Sequence, residues 1–99
     1  MTKQELVSRM QEGQAWIPGK RVKLDFGSEG VILLDGAASQ VSEEDGAADT
    51  TIKVNWDDWQ AMAAGQLDGM TAFMTGKLRI DGDMSNAMQL QGVLAKLKG

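Results

Sequence analysis

Cysteine, histidine and tyrosine are all missing from the 99 residues. Without cysteine there is neither a disulfide framework nor a thiolate metal site. Without histidine the chain lacks the side chain that titrates near neutral pH and the commonest nitrogen ligand for metals. A catalyst built from this sequence would have to work with carboxylates, lysine, serine or threonine. Apolar runs such as Val31 to Leu34 are far too short to cross a bilayer. Positive charge is in deficit: 10 Lys and Arg against 14 Asp and Glu leave a net charge of −4. Nucleic acid wants a basic face and is excluded as an expected partner. Charge-driven docking on anionic lipid is equally disfavoured, so membrane contact is expected to be transient at most. The first residues do not read as a signal peptide, since Lys3 and Glu5 come early and no apolar run follows. A chain without disulfides suits the cytoplasm, which is the expected location.

Methionine is the opposite case, with seven residues. Its flexible, polarizable side chain suits irregular cores and surfaces that adapt to varied apolar partners. The length fits one domain over residues 1–99.

The punctuation along the chain is clear. Thr2 with Glu5 forms a capping box, which predicts a helix to about Glu12 stopped by Gly13. Val22, Leu24 and Phe26 alternate with Arg21, Lys23 and Asp25, the pattern of a half-buried strand. A loop at Gly27–Gly30 leads to Val31–Leu34, which is apolar on both faces. That strand should be covered on both sides or pack on a partner, and a homodimer is one way to do so. A weak strand is expected within residues 37–42, and another at Thr50–Val54. Asn55 and Asp68 cap two short helices, Lys77–Asp81 is a last strand, and Asp83 caps a final helix to about Lys98. This order predicts an α+β fold, with helices on one face of a mainly antiparallel sheet.

On the final helix, Met84, Ala87, Met88, Leu94 and Ala95 share one face. Gln91 falls among them. A buried amide needs a partner, either nearby backbone or the polar end of a ligand in an apolar pocket. Asp57 with Asp58, and Asp81 with Asp83, read as helix N-terminal charge and capping rather than as metal ligands. Gly27–Gly30 is a turn and not a phosphate cradle, and no cofactor signature is present.

The pieces Asp49–Val54, Trp56–Trp59, Ala64–Leu67, Ala72–Ile80 with Gly82–Met84, and Ala87–Gln91 occur in an order and spacing that resemble the C-terminal half of the sterol carrier protein 2 family. Phe73-Met74-Thr75-Gly76-Lys77-Leu78-Arg79-Ile80-Asp81-Gly82-Asp83-Met84 is the most specific run. Residues 1 to 48 are similar only in element order. The resemblance implies a five-stranded sheet, helices over one face and an apolar tunnel between them, bordered by the final helix. It implies binding of a sterol, fatty acid, acyl-CoA or similar lipid without catalysis. A compact, free-standing version suggests a bacterial protein.

On that basis Leu24, Phe26, Leu33, Ile52, Val54, Leu78 and Ile80 are expected to form the floor of the pocket. Trp59, Met62, Phe73, Met74, Met84, Ala87 and Met88 would form walls and lid, with Gln91 at the polar end. Phosphates of an acyl-CoA would want cations, but Lys20, Arg21, Lys23, Lys53, Lys77 and Arg79 read as solvated sheet residues. Two alternatives stand beside the carrier. One is a small carboxylate-based isomerase on an apolar carbonyl compound, which needs an acid in the pocket with a raised pKa. The other is a structural domain whose core is filled by its own side chains.

Overall fold

Thr2 Oγ1 accepts the backbone N–H of Glu5 at 3.1 Å, and this cap opens the first helix, α1 (Lys3–Glu12). A computed structural model describes the backbone of residues 2–97 and the side chains of residues 2–90, 92 and 93. Strands β1 (Arg21–Asp25), β2 (Val31–Asp35), β3 (Gln40–Ser42) and β4 (Thr50–Val54) follow α1, with a 3₁₀ turn at Gly27–Glu29. Helices α2 (Trp56–Ala63) and α3 (Gly69–Met74), strand β5 (Leu78–Gly82) and helix α4 (Met84–Leu97) complete the domain.

The five strands form one sheet in the order β3-β2-β1-β4-β5. It is mixed: β1 and β4 run parallel at the centre, and the other three pairs are antiparallel. The parallel pair requires a crossover, which residues 43–48 make. Lys23 bonds Asp45 at 2.6 Å, holding that segment across the back of the sheet.

Register decides which side chains meet. Leu24 lies beside Ile32 on one side and Ile52 on the other, and Val22 beside Leu34. Val54 pairs with Leu78, and Ile52 with Ile80. These share a face with Leu6 and Met10 of α1, Trp59 of α2, Ala72 of α3, and Ala87 and Leu90 of α4 in one apolar core.

Leu33 departs from expectation. It pairs with Lys23 and therefore points to the opposite face, away from the helices. There it is buried, with Gly46 of the crossover against it. Alternation along a strand makes this unavoidable: once Ile32 and Leu34 face the core, Leu33 cannot. The doubly apolar strand thus finds both covers within one chain, the helix-lined core on the side of Ile32 and Leu34 and the crossover on the side of Leu33.

Candidate functional site

The site is framed first by three aromatic rings. Asn55 Oδ1 accepts the N–H groups of Asp57 and Asp58 at 2.9 and 3.4 Å and starts α2 directly after β4. Trp56 and Trp59, three residues apart, then fall on one helix face. Both meet Phe26 edge-on, at centroid distances of 5.0 and 5.7 Å. This geometry suits the ring quadrupoles. Trp59 is 7% exposed, and among the described residues its Nε1–H has no acceptor.

Beside the rings lie the floor residues. Leu24, Phe26, Ile52, Val54 and Leu78 are buried, and Ile80 is half-buried against the same cluster. Met62 packs at its border. Leu33 does not join them. Gln91 lies outside the described side chains, so the choice between its two readings falls outside them as well.

The helices over the floor are turned differently from their expected setting. On α3 the buried residue is Ala72, while Met70, Phe73 and Met74 are 62%, 40% and 78% exposed. Among the described residues of α4 the buried ones are Asn86, Ala87 and Leu90, while Met84 and Met88 are 46% and 68% exposed. The expected wall and lid therefore divides. Trp59 and Ala87 enter the core, and Phe73, Met74, Met84 and Met88 stand at the surface. The physical reason is closeness of approach: a small alanine facing the sheet lets the helix backbone come near, and a long methionine would hold it away. Met70 joins the exposed set. Its spacing of three and four from Phe73 and Met74 is the signal that identifies it.

Both α3 and α4 rest on β5, and α4 also on β4. Among the described residues they lean on the sheet more than on each other. The join between sheet and α4 is polar at one point. Asn86 Nδ2 donates to Thr50 Oγ1 at 3.1 Å, and Thr50 Oγ1 donates to the Asp83 carbonyl at 2.7 Å. No sequence pattern marked Asn86, because on the helical wheel it lies away from Met84 and Met88.

Charge sits elsewhere. Asp35 and Asp83 both have pKa values held below the ordinary 3.8. The Ala38 N–H is the main cause for Asp35, and the Ser85 hydroxyl for Asp83. An open groove of about 540 Å³ at the sheet end carries Lys53, Lys77 and Arg79 together with Asp25, Glu29 and Asp57. Its cations are matched by carboxylates, so it offers no net positive cradle for phosphate. Among the described residues, no group of three or more His, Cys, Asp or Glu is placed to hold a metal ion. No described helix is long and apolar enough to cross a membrane.

Comparison with known proteins agrees with this architecture. The chain is 32% identical over 81 residues to stomatin-like protein 1 of Mus musculus, a match covering 78% of this chain and 20% of that protein. It is 38% identical over 63 residues to sterol carrier protein 2 of Bos taurus, covering 64% of this chain and 12% of the relative. Both relatives are thus much longer than the segment they share with it. In fold it superposes on the solution structure of sterol carrier protein 2 from Aedes aegypti in complex with palmitate, with a TM-score of 0.75. That match covers 92% of each chain at 19% identity. Residues 10–95 match the profile of the SCP-2 sterol transfer family, and the chain belongs to that family.

Proposed function

We propose that this domain holds a lipid or similar apolar molecule between its sheet and the α3–α4 side, and that it catalyses nothing. One observation carries the reading: Met70, Phe73, Met74, Met84 and Met88 are exposed on two helices that share β5 beneath them. Large exposed apolar side chains gathered in this way mark binding sites on water-soluble folds. Methionine adapts its shape to the partner, which suits a ligand with few polar handles. The palmitate bound by the Aedes aegypti protein is a ligand of the same class.

The ligand enters past these methionines and lies along a tunnel floored by Leu24, Phe26, Ile52, Val54, Leu78 and Ile80. Trp59, Met62 and Ala87 form its inner wall. Binding is partition, since apolar surface leaves water at roughly 25 cal/mol per Å². Opening requires α3 and α4 to move off the sheet, which their few mutual contacts favour. A sterol, a fatty acid or an acyl-CoA fits this mode, and the balanced charge of the Lys53 groove gives no hold for the phosphates of the last. A cytoplasmic location suits such a carrier.

A carboxylate enzyme is the weaker reading. Among the described residues the buried polar side chains are Thr50 and Asn86, and neither is an acid. Both shifted aspartates move down, the wrong direction for a general acid.

Native mass spectrometry of the purified protein, with thermal melting in the presence of palmitate, palmitoyl-CoA and cholesterol, tests the carrier. A bound lipid or a rise in melting temperature is expected. Free ligand at a hundred times its Kd adds about 2.7 kcal/mol of stability. Absence of co-purifying lipid together with unchanged melting in all three would remove the reading.

A further inference from the structure

The interior contains one polar group that the described fold leaves unused. The Trp59 Nε1–H is buried and has no acceptor among the described residues. Thr50 and Asn86, the other buried polar side chains among the described residues, are already joined to each other and to the Asp83 carbonyl. A buried donor that gives up water for nothing is disfavoured, and folded proteins contain few of them. Phenylalanine at this position would keep the edge contact with Phe26, centroids 5.7 Å apart, and would leave no orphan. The indole therefore adds a polar atom that packing alone does not require.

We propose that the Trp59 Nε1–H anchors the polar end of the bound ligand, and that this end is an uncharged oxygen: a hydroxyl, or the carbonyl of a ketone or ester. The inference rests on the carrier reading above. The charge state follows from the surroundings. Among the described residues, no buried side chain is charged. A carboxylate brought to the indole would lose its hydration and gain one neutral donor, which is a poor exchange. A neutral oxygen loses far less, and one N–H satisfies it. The preferred ligand is thus an apolar body with a neutral acceptor that reaches α2, and a free acid is disfavoured at this end.

The test uses the full chain labelled with nitrogen-15, titrated with methyl laurate, laurate and dodecane. The chain has three tryptophans, and Trp59→Phe identifies the Trp59 indole signal. Methyl laurate should move that signal downfield, and should bind the unaltered protein about threefold to tenfold more tightly than Trp59→Phe. Dodecane should bind both proteins equally, without the downfield shift. Laurate should bind more weakly than its ester. If the ester binds both proteins equally and leaves the indole in place, the anchor is overturned while the carrier stands. Tighter binding of laurate, through the same signal, overturns the neutral end group. If none of the three binds, the anchor is overturned, while the carrier reading is decided by native mass spectrometry and by melting with palmitate, palmitoyl-CoA and cholesterol. Should Trp59→Phe fail to fold, the contrast between ester and dodecane at the indole of the unaltered protein still decides.

Discussion

Asn86 and Thr50, 36 positions apart, join α4 to the centre of the sheet through a buried hydrogen bond of 3.1 Å. The threonine hydroxyl passes its own proton to the Asp83 carbonyl, so sheet, helix cap and helix face form one chain. Thr50→Val keeps the shape and removes the hydroxyl. It strands the Asn86 amide and takes one donor from the Asp83 carbonyl, at a cost of about 1–3 kcal/mol. Urea unfolding measures this. The double variant with Asn86→Leu should lose less than the two single losses added together, because the second change removes a group already orphaned.

Gly36 is set by close approach. Its N–H donates to the Lys20 carbonyl at 2.7 Å, and a Cβ there would strike the Ile17 carbonyl. That obstacle is backbone and cannot swing aside. Gly36→Ala should destabilise by more than about 3 kcal/mol, or abolish folding, as judged by circular dichroism and thermal melting. Gly92→Ala, which meets open space, serves as its control.

The pKa of Asp83 is held down by the Ser85 hydroxyl and then by its backbone N–H, at 2.7 and 2.9 Å. The charged form is thus favoured in the folded state. Its contribution is present above the ordinary value of 3.8 and is lost as pH falls through the lower folded value. Asp83→Ala should therefore lower the melting temperature at neutral pH. The gap from the unaltered protein should close as the solution is acidified below 3.8. A gap that stayed constant with pH would contradict the assignment.

Leu24 and Leu33 are both buried but face opposite sides of the sheet. Truncating either to alanine should cost about 2–4 kcal/mol. Only Leu24→Ala should change lipid affinity, because Leu33 looks into the crossover. Equal effects on binding would place the ligand on the wrong side of the sheet for the proposed carrier.

The exposed methionines separate uptake from stability. Met74→Gln with Met88→Gln removes apolar surface that the fold itself does not bury. The change in unfolding free energy should stay within about 0.5 kcal/mol per site. Transfer of a fluorescent fatty acid from vesicles should slow several-fold. Unimpaired transfer would mean that the ligand enters elsewhere.

Much of this was legible in the residues. Thr2, Asn55 and Asp68 each cap the helix that follows them, because a short oxygen-bearing side chain satisfies the first free N–H groups wherever the chain turns into a helix. Alternation named β1 and β4, and the family resemblance over residues 49–91 pointed to the five-stranded sheet beneath helices. The sequence alone determined these features because each depends on neighbours within a few positions. Tertiary structure decided the rest. Period-two spacing cannot choose a face for a strand as apolar as Val31–Leu34; pairing with β1 chose it and sent Leu33 outward. Helical spacing found the methionine stripes of α3 and α4 but not their orientation. Ala72, Ala87 and Asn86 took the inside because small side chains allow close approach, and because Thr50 offers Asn86 a bond. The methionines were left outside, and they are the surface that a lipid would meet first.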